Sequence, residues 1–109
     1  APFHCFLMNP ASKIMHKELS NIKFLSPKNK IVSNVTAQAT DNPDEIKSLL
    51  IEQIEKPVRW RESVINMIDS GTKKFIEIGP GKVLSGLVKR IDRNVELIQI
   101  NNLDDLNNL

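Results

Sequence analysis

The sequence has few of the residues on which disulfide, metal and nucleic-acid chemistry usually depend. Its 109 residues include one cysteine, one tryptophan and no tyrosine. A single cysteine excludes an intrachain disulfide and a metal site built from several cysteines. The net charge of +2 comes from basic residues spread along the chain, and no tyrosine is available for base stacking. The composition therefore gives no indication of a nucleic-acid partner.

Long apolar runs are also missing. No stretch approaches the roughly 18 uncharged residues of a membrane span, and no basic segment, apolar run and cleavage site form a signal peptide. We therefore expect no membrane association and a cytoplasmic location. What remains is an ordinary globular composition, with 40% hydrophobic and 26% charged residues. A chain of this length is expected to build one core at most.

Four segments have the apolar spacing of amphipathic helices. They cover residues 9–21, 43–54, 60–70 and 83–91. Asn42 followed by Pro43 gives the clearest helix start, because an amide cap precedes a proline at the first helical position. Asn9 and Pro10 predict a similar start for the first helix. Gly71 is suited to end the third helix in a left-handed conformation.

Three short segments are predicted as strands, over residues 31–35, 75–78 and 95–100. Strands that alternate with helices indicate an α/β fold of three layers, in which helices flank a mostly parallel sheet. The second strand is apolar except at Glu77, which is typical of a central strand. Three strands are few for such a sheet, and the chain opens with apolar residues, so we expect an incomplete fold. The tail over residues 101–109 is either a short docked helix or a frayed end.

His4 is the strongest candidate for chemistry. It lies in an irregular segment before a helix, where a scaffold can present a general base, although a lone histidine more often has a structural or surface role. Cys5 follows directly, but adjacent side chains on an extended backbone point apart, so a spectator thiol is the better interpretation. His16 lies between lysines on a polar helix face and is expected to be solvated.

Two further clusters have a functional and a structural interpretation. Gly79, Pro80 and Gly81 precede a helix whose N-terminus could hold a phosphate, but the spacing is not that of a P-loop and favours a tight turn. The fourth helix ends in a basic cluster, which is either solvated or a landing surface for an acidic partner. This cluster consists of Lys89, Arg90 and Arg93.

Three motifs follow one another along the chain. They are Pro2-Phe3-His4-Cys5 with Leu7-Met8-Asn9-Pro10-Ala11, then Gln53 with Pro57-Val58-Arg59-Trp60, then Glu77-Ile78-Gly79-Pro80-Gly81-Lys82-Val83-Leu84-Ser85-Gly86-Leu87. Their order and spacing resemble the bacterial malonyl-CoA:acyl carrier protein transacylases over essentially all 109 residues. The resemblance implies that residues 1–109 are the C-terminal portion of the large α/β hydrolase-like acyltransferase subdomain. The nucleophile half and the ferredoxin-like subdomain would then be absent from this fragment of the acyltransferase fold.

The resemblance also implies a reaction, in which malonyl passes from coenzyme A to a serine and then to acyl carrier protein, for fatty-acid biosynthesis. His4 would be the general base, and the backbone carbonyl of Gln53 would orient it, so the Gln53 side chain is expected to be replaceable. Lys89 and Arg90 would face the carrier protein. No cofactor is implied, because malonyl-CoA is a substrate. The chain is expected to be inactive without the missing N-terminal half of the same enzyme.

Two alternatives stay open. The acyltransferase domain of a polyketide synthase shares this architecture but selects other acyl units. A non-catalytic module could instead bind an acidic partner through Lys89, Arg90 and Arg93.

Overall fold

The structure, a computed structural model, describes residues 2–108. Ala1 and Leu109 lie outside the described residues, and so does the part of the sequence predictions that falls on them. The chain divides into two compact units, Ala1–Ser63 and Val64–Leu109, where its length had suggested one core. None of the helices within residues 2–108 is long and apolar enough to cross a membrane. The cytoplasmic location stays a prediction.

The first unit has two helices joined by a small hairpin. Its elements are a 3₁₀ turn at Phe6–Met8, α1 (Asn9–Ser20), β1 (Ile31–Val32), β2 (Ala39–Thr40) and α2 (Pro43–Glu52). Helix α3 (Trp60–Asp69) begins in this unit and ends in the second. The predicted cap of α2 is confirmed, since the Asn42 side chain accepts hydrogen bonds from the N–H groups of Asp44 and Glu45.

The predicted cap of α1 is wrong. Met8 precedes the helix and Asn9 is its first residue, because the 3₁₀ turn runs directly into the helix and leaves no extended residue to act as a cap. The Asn9 amide donates instead to the carboxylate of Glu55, at 3.1 Å.

The strand predicted over residues 31–35 is also wrong beyond its first two residues. Only Ile31–Val32 pairs, and it pairs antiparallel with β2, which the sequence pattern had not indicated. The backbone turns after Val32 because the hydroxyl and carbonyl of Ser33 accept hydrogen bonds from the N–H groups of Val35 and Ala37. The sheet of the first unit is therefore a short antiparallel hairpin.

The second unit is a strand–helix–strand segment. It contains β3 (Lys74–Ile78), α4 (Val83–Ile91), β4 (Glu96–Ile100) and α5 (Leu103–Asn107). Strands β3 and β4 pair in parallel, from Lys74 opposite Glu96 to Ile78 opposite Ile100. These bounds agree with the predictions, and the tail forms a short helix. The α/β class is confirmed, with two two-stranded sheets among the described residues.

Large apolar side chains remain exposed in both units. The exposed fraction is 76% at Phe6, 78% at Ile78 and 77% at Leu103. Within residues 2–108, β3 has β4 as its one partner strand, so its other edge carries unpaired backbone groups. Apolar surface of this extent marks an interaction site in a folded protein. This exposed apolar surface is consistent with the incomplete fold that the sequence predicts.

Candidate active site

His4 lies at a sharp bend of the backbone just before the 3₁₀ turn. Its φ angle is 58°, in the left-handed region, where a residue with a Cβ atom is strained by about 1 kcal/mol. Histidine is enriched there relative to most residues. Such strained positions cluster at functional sites. The bend directs the ring toward α2, where Nδ1 lies 2.8 Å from the main-chain oxygen of Gln53.

The Gln53 carbonyl is available because it lies at the end of a helix. Gln53 is the C-cap residue of α2, and the last carbonyls of a helix have no partner within it. The carbonyls of Leu49, Ile51 and Glu52 accept hydrogen bonds from N–H groups of the following turn, whereas that of Gln53 accepts from the imidazole.

This hydrogen bond determines which ring nitrogen can act as a base. A carbonyl oxygen only accepts, so Nδ1 carries the hydrogen and, in the neutral ring, Nε2 keeps its lone pair. The residue is exposed, and Nε2 has no hydrogen-bond partner in the part of the chain that the structure describes. The arrangement is that of an oriented base with a free acceptor atom.

An apolar groove of about 420 Å³ adjoins the imidazole. Besides His4 and Gln53 it is lined by Phe3, Met8, Ala11, Met15 and Ile54. No charged side chain lines the groove, so the described residues offer no partner for a substrate carboxylate at this place.

The other candidates of the N-terminal segment do not join this site. The half-buried Cys5 thiol donates locally to the carbonyl of Pro2, at 3.2 Å, rather than to His4. His16 is exposed on α1, as predicted. Across residues 2–108, no group of three or more His, Cys, Asp or Glu side chains could hold a metal ion.

The N-terminus of α4 is occupied by a carboxylate of the chain itself. Glu77 accepts hydrogen bonds from the Leu84 N–H at 3.0 Å and from the N–H and hydroxyl of Ser85 at 2.7 and 2.6 Å. The Ser85 hydroxyl, followed by these backbone donors, lowers the pKa of Glu77. The donors that a phosphate would need at Leu84 and Ser85 are therefore taken. Gly79 and Gly81, with φ angles of 133° and 97°, form the tight turn that the spacing favours.

Sequence reasoning missed this role of Glu77. The only indication was that Glu77 is the one charged residue between Phe75 and Ile78, in a strand otherwise suited to full burial.

Lys89 and Arg90 lie together in the second unit. With Gly86 and Arg93 they line one shallow groove at the C-terminal half of α4. All three basic side chains are exposed, and within the described range none of them forms an ion pair.

Arg59 differs from this basic cluster. It forms an ion pair with Glu62 at 2.6 Å, and this bond holds the pKa of the Glu62 carboxyl below its usual value. Arg59 therefore already has an acidic partner within the chain.

The comparisons with known proteins point to one kind of enzyme. No protein-family model matches the chain. The chain is 39% identical over 106 residues to the malonyl CoA-acyl carrier protein transacylase of Haemophilus influenzae, which covers 97% of the chain but 34% of that protein. It therefore spans about a third of the length of this curated relative.

Solved structures give the same result. The malonyl-CoA:ACP transacylase of Synechocystis superposes with a TM-score of 0.94 at 38% identity, over 100% of this chain and 37% of the other. A malonyl-transacylase solved in complex with its type II polyketide synthase acyl carrier protein gives a TM-score of 0.89 at 36% identity, over 97% of this chain and 34% of the other.

The fold is thus that of part of the α/β acyltransferases, and His4 is oriented within it by the Gln53 carbonyl. Within that class, the chain matches the bacterial malonyl-CoA:acyl carrier protein transacylases as a C-terminal portion of them, as its motifs predicted.

Proposed function

We propose that this chain supplies the general base of a malonyl-CoA:acyl carrier protein transacylase. The hydrogen bond of 2.8 Å between His4 Nδ1 and the Gln53 carbonyl carries the proposal, because it leaves Nε2 as the free acceptor. In the parent enzyme, residues 1–109 would complete the large acyltransferase subdomain, and the nucleophilic serine would come from the part that the chain does not contain.

In the first step, Nε2 of His4 accepts the proton of the serine hydroxyl while the serine oxygen attacks the thioester carbonyl of malonyl-CoA. The carbon–sulfur bond then breaks, and the imidazolium returns the proton to the coenzyme A thiolate. In the second step the thiol of acyl carrier protein gives its proton to Nε2 and attacks the serine ester. The carbon–oxygen bond breaks, and the same proton restores the serine hydroxyl.

The α2 terminus assists both steps. Each step passes through a positively charged His4 ring whose Nδ1–H faces the Gln53 carbonyl at the negative end of a helix. A charge at a helix end is typically worth about 0.3 to 1 kcal/mol, and proton transfer by a positioned base contributes about 10²- to 10⁴-fold in rate. Most of the expected effect therefore comes from the imidazole itself.

The missing part of the enzyme would also cover the open apolar surface. Phe3 beside the imidazole and Phe6 and Leu7 just after it are exposed by 65%, 76% and 56%. Among residues 2–108, the side chains that line the groove include neither a nucleophile nor a partner for the malonyl carboxylate, and the groove is open to water. We therefore expect no transfer by this chain alone.

The test is malonyl transfer to acyl carrier protein by the parent enzyme, meaning the full-length protein that carries this sequence. His4→Ala should lower kcat/KM by roughly 10²- to 10⁴-fold. The matched control is His16→Ala, which removes an exposed histidine from α1 and should change the rate by less than about twofold. Full activity of the His4→Ala enzyme would refute the base assignment.

We further propose that Lys89 and Arg90 bind the acyl carrier protein. Their side chains are exposed and unpaired within the described residues, and one of the matched transacylases was solved with a carrier protein. An acidic carrier would be attracted by these charges, which speeds encounter more than it tightens the complex.

The double variant Lys89→Glu, Arg90→Glu should lower transfer by about tenfold at low salt and leave hydrolysis of malonyl-CoA nearly unchanged. Lys28→Glu with Lys30→Glu is the control, since it makes the same charge change in an exposed loop of the first unit. Equal loss of transfer and hydrolysis would contradict a docking role. Running the assay with malonyl-CoA and with other acyl-CoA substrates separates the two acyltransferase alternatives, because the polyketide synthase domain selects other acyl units.

A further inference from the structure

The Gln53 side chain has a specific partner, although the family resemblance implies that this side chain is replaceable. The Asn34 amide donates from Nδ2 to Oε1 of Gln53, at 3.3 Å. Both residues are half-buried. The two ends of Gln53 therefore have different partners: the main-chain oxygen accepts from His4, and the side-chain oxygen accepts from Asn34.

Arg59 holds the turn that contains Asn34 through two hydrogen bonds. Asn34 lies in the turn that follows Ser33, and its own carbonyl accepts a hydrogen bond of 3.0 Å from the N–H of Arg59. The Arg59 guanidinium donates to the carbonyl of Thr36 at 3.1 Å, in the same turn. A donor on such a fixed turn is well suited to restrain a flexible glutamine.

The surroundings of the two amides make this hydrogen bond favourable. Asn34 and Gln53 line a cavity of about 130 Å³ together with mainly aliphatic side chains. Among them are Ile31, Val32, Ile46, Leu49 and Leu50. An amide in such a place costs free energy when it has no hydrogen bond, so the pairing limits the rotamers of Gln53.

We propose that Asn34 is a positioning residue for the catalytic histidine, acting through the Gln53 amide on the carbonyl that holds His4 Nδ1–H. Losing the Asn34 amide frees the Gln53 side chain, lets the end of α2 relax, and lengthens the bond to the ring. The imidazole then also populates the tautomer with hydrogen on Nε2, which cannot accept a proton there. The inference rests on the proposed function and adds a residue that the motifs did not single out.

The first test measures the tautomer directly, by ¹⁵N NMR of the histidine rings in the parent enzyme. Wild type should show His4 in the Nδ1–H form, and Asn34→Ala should show a mixture of both tautomers. Asn9→Ala is the matched control, because it removes another amide of the same unit that donates to a side chain, Glu55, at 3.1 Å. An unchanged His4 tautomer in the Asn34→Ala enzyme would overturn the inference. This readout does not depend on whether the enzyme transfers malonyl.

The second test is a kinetic double-mutant cycle. Asn34→Ala should lower kcat roughly tenfold, since small misplacements of a catalytic group are costly, and change the KM for malonyl-CoA by less than about twofold. In a Gln53→Ala background, the same substitution should have no further effect on kcat. Independent effects of the two substitutions would contradict the proposed route.

Asn34→Ser provides a second variant, because serine also favours turns and keeps the local backbone. It should repeat the tenfold loss in kcat without a loss of folded protein, and wild-type kcat in this variant would overturn the inference. If His4→Ala is inactive while Asn34→Ser and Asn34→Ala are fully active, the inference fails and the proposed function stands.

Discussion

In both units a side chain satisfies the unpaired backbone groups at a helix end, but the two ends are used differently. In the first unit, His4 donates to a carbonyl at the C-terminus of α2 and leaves Nε2 free among the described residues. In the second unit, Glu77 accepts three hydrogen bonds at the N-terminus of α4 with both of its oxygens. His4 therefore keeps Nε2 without a partner among the described residues, whereas both carboxylate oxygens of Glu77 accept hydrogen bonds.

Whether a side chain keeps a free reactive atom distinguishes a candidate catalytic residue from a structural one more clearly than its residue type does. Both side chains are ionisable, and each lies at a motif of the family resemblance. Only His4 is exposed and strained, which are features that folding alone does not favour. Glu77 is half-buried and connects β3 with α4. Substitution of His4 should therefore mainly lower the transfer activity of the parent enzyme, and substitution of Glu77 should mainly lower its stability.

Glu77→Ala should have the largest effect on stability. Leu84 and Ser85 lose the acceptor of their donors, so we expect the Tm of the parent enzyme to fall by roughly 2–4 °C. Transfer at 25 °C should stay within about threefold of wild type. Glu96→Ala is the control, since its ion pair with Lys74 is about half exposed, and its Tm should change by about 1 °C at most. If the Glu77→Ala enzyme had a normal Tm but no activity, Glu77 would have a role in the reaction and not the structural role inferred here.

The stabilisation by the Glu77 carboxylate should also depend on pH, and this effect on Tm is smaller. Its hydrogen bonds lower the pKa of the folded carboxyl, so the stabilisation is complete above the unfolded value of about 4.3 and is lost as pH falls through the folded value. The Tm difference between wild type and Glu77→Gln should be constant from pH 7 to 5 and shrink toward pH 3. Thermal melts in steps of pH measure this, and a constant difference down to pH 3 would contradict it.

The backbone strain at His4 should give the smallest effect. Because its φ is 58°, His4→Gly should be more stable than His4→Ala by about 1 kcal/mol, although neither variant keeps the imidazole. The same pair at His16, within α1, should show the opposite sign, since glycine in a helix is about 1 kcal/mol less stable than alanine. Denaturant unfolding of the four variants checks both signs. If the alanine variant had the higher free energy of unfolding at both positions, the backbone at His4 would not be strained.

Local patterns predicted the second unit well. Strands β3 and β4 and helix α4 lie where apolar spacing placed them, because each is decided by residues close in sequence. The cap of α2 at Asn42 was equally local. By contrast, β1 ends early because Ser33 bonds within its own turn and Arg59 holds that turn from further along the chain. Such tertiary contacts override the strand propensity of residues 31–35.

The candidate site was predictable only in part. His4 and Gln53 were named from the motifs, and the structure brings them together, but their catalytic roles stay a proposal. Asn34 was not found, because two amides 19 residues apart have no periodic pattern that pairs them. The groove beside the imidazole also depends on tertiary packing, since α1 and the end of α2 both contribute to it.

The bond between His4 and Gln53 joins residues 49 positions apart, so the oriented base exists only while the first unit keeps its tertiary packing. A partial opening that leaves α1 and α2 helical would already release the ring. When the parent enzyme is heated, the proposed function therefore predicts that malonyl transfer is lost before the far-ultraviolet circular dichroism of the helices. Transfer by the parent enzyme would then report the earliest loosening of this unit, ahead of circular dichroism.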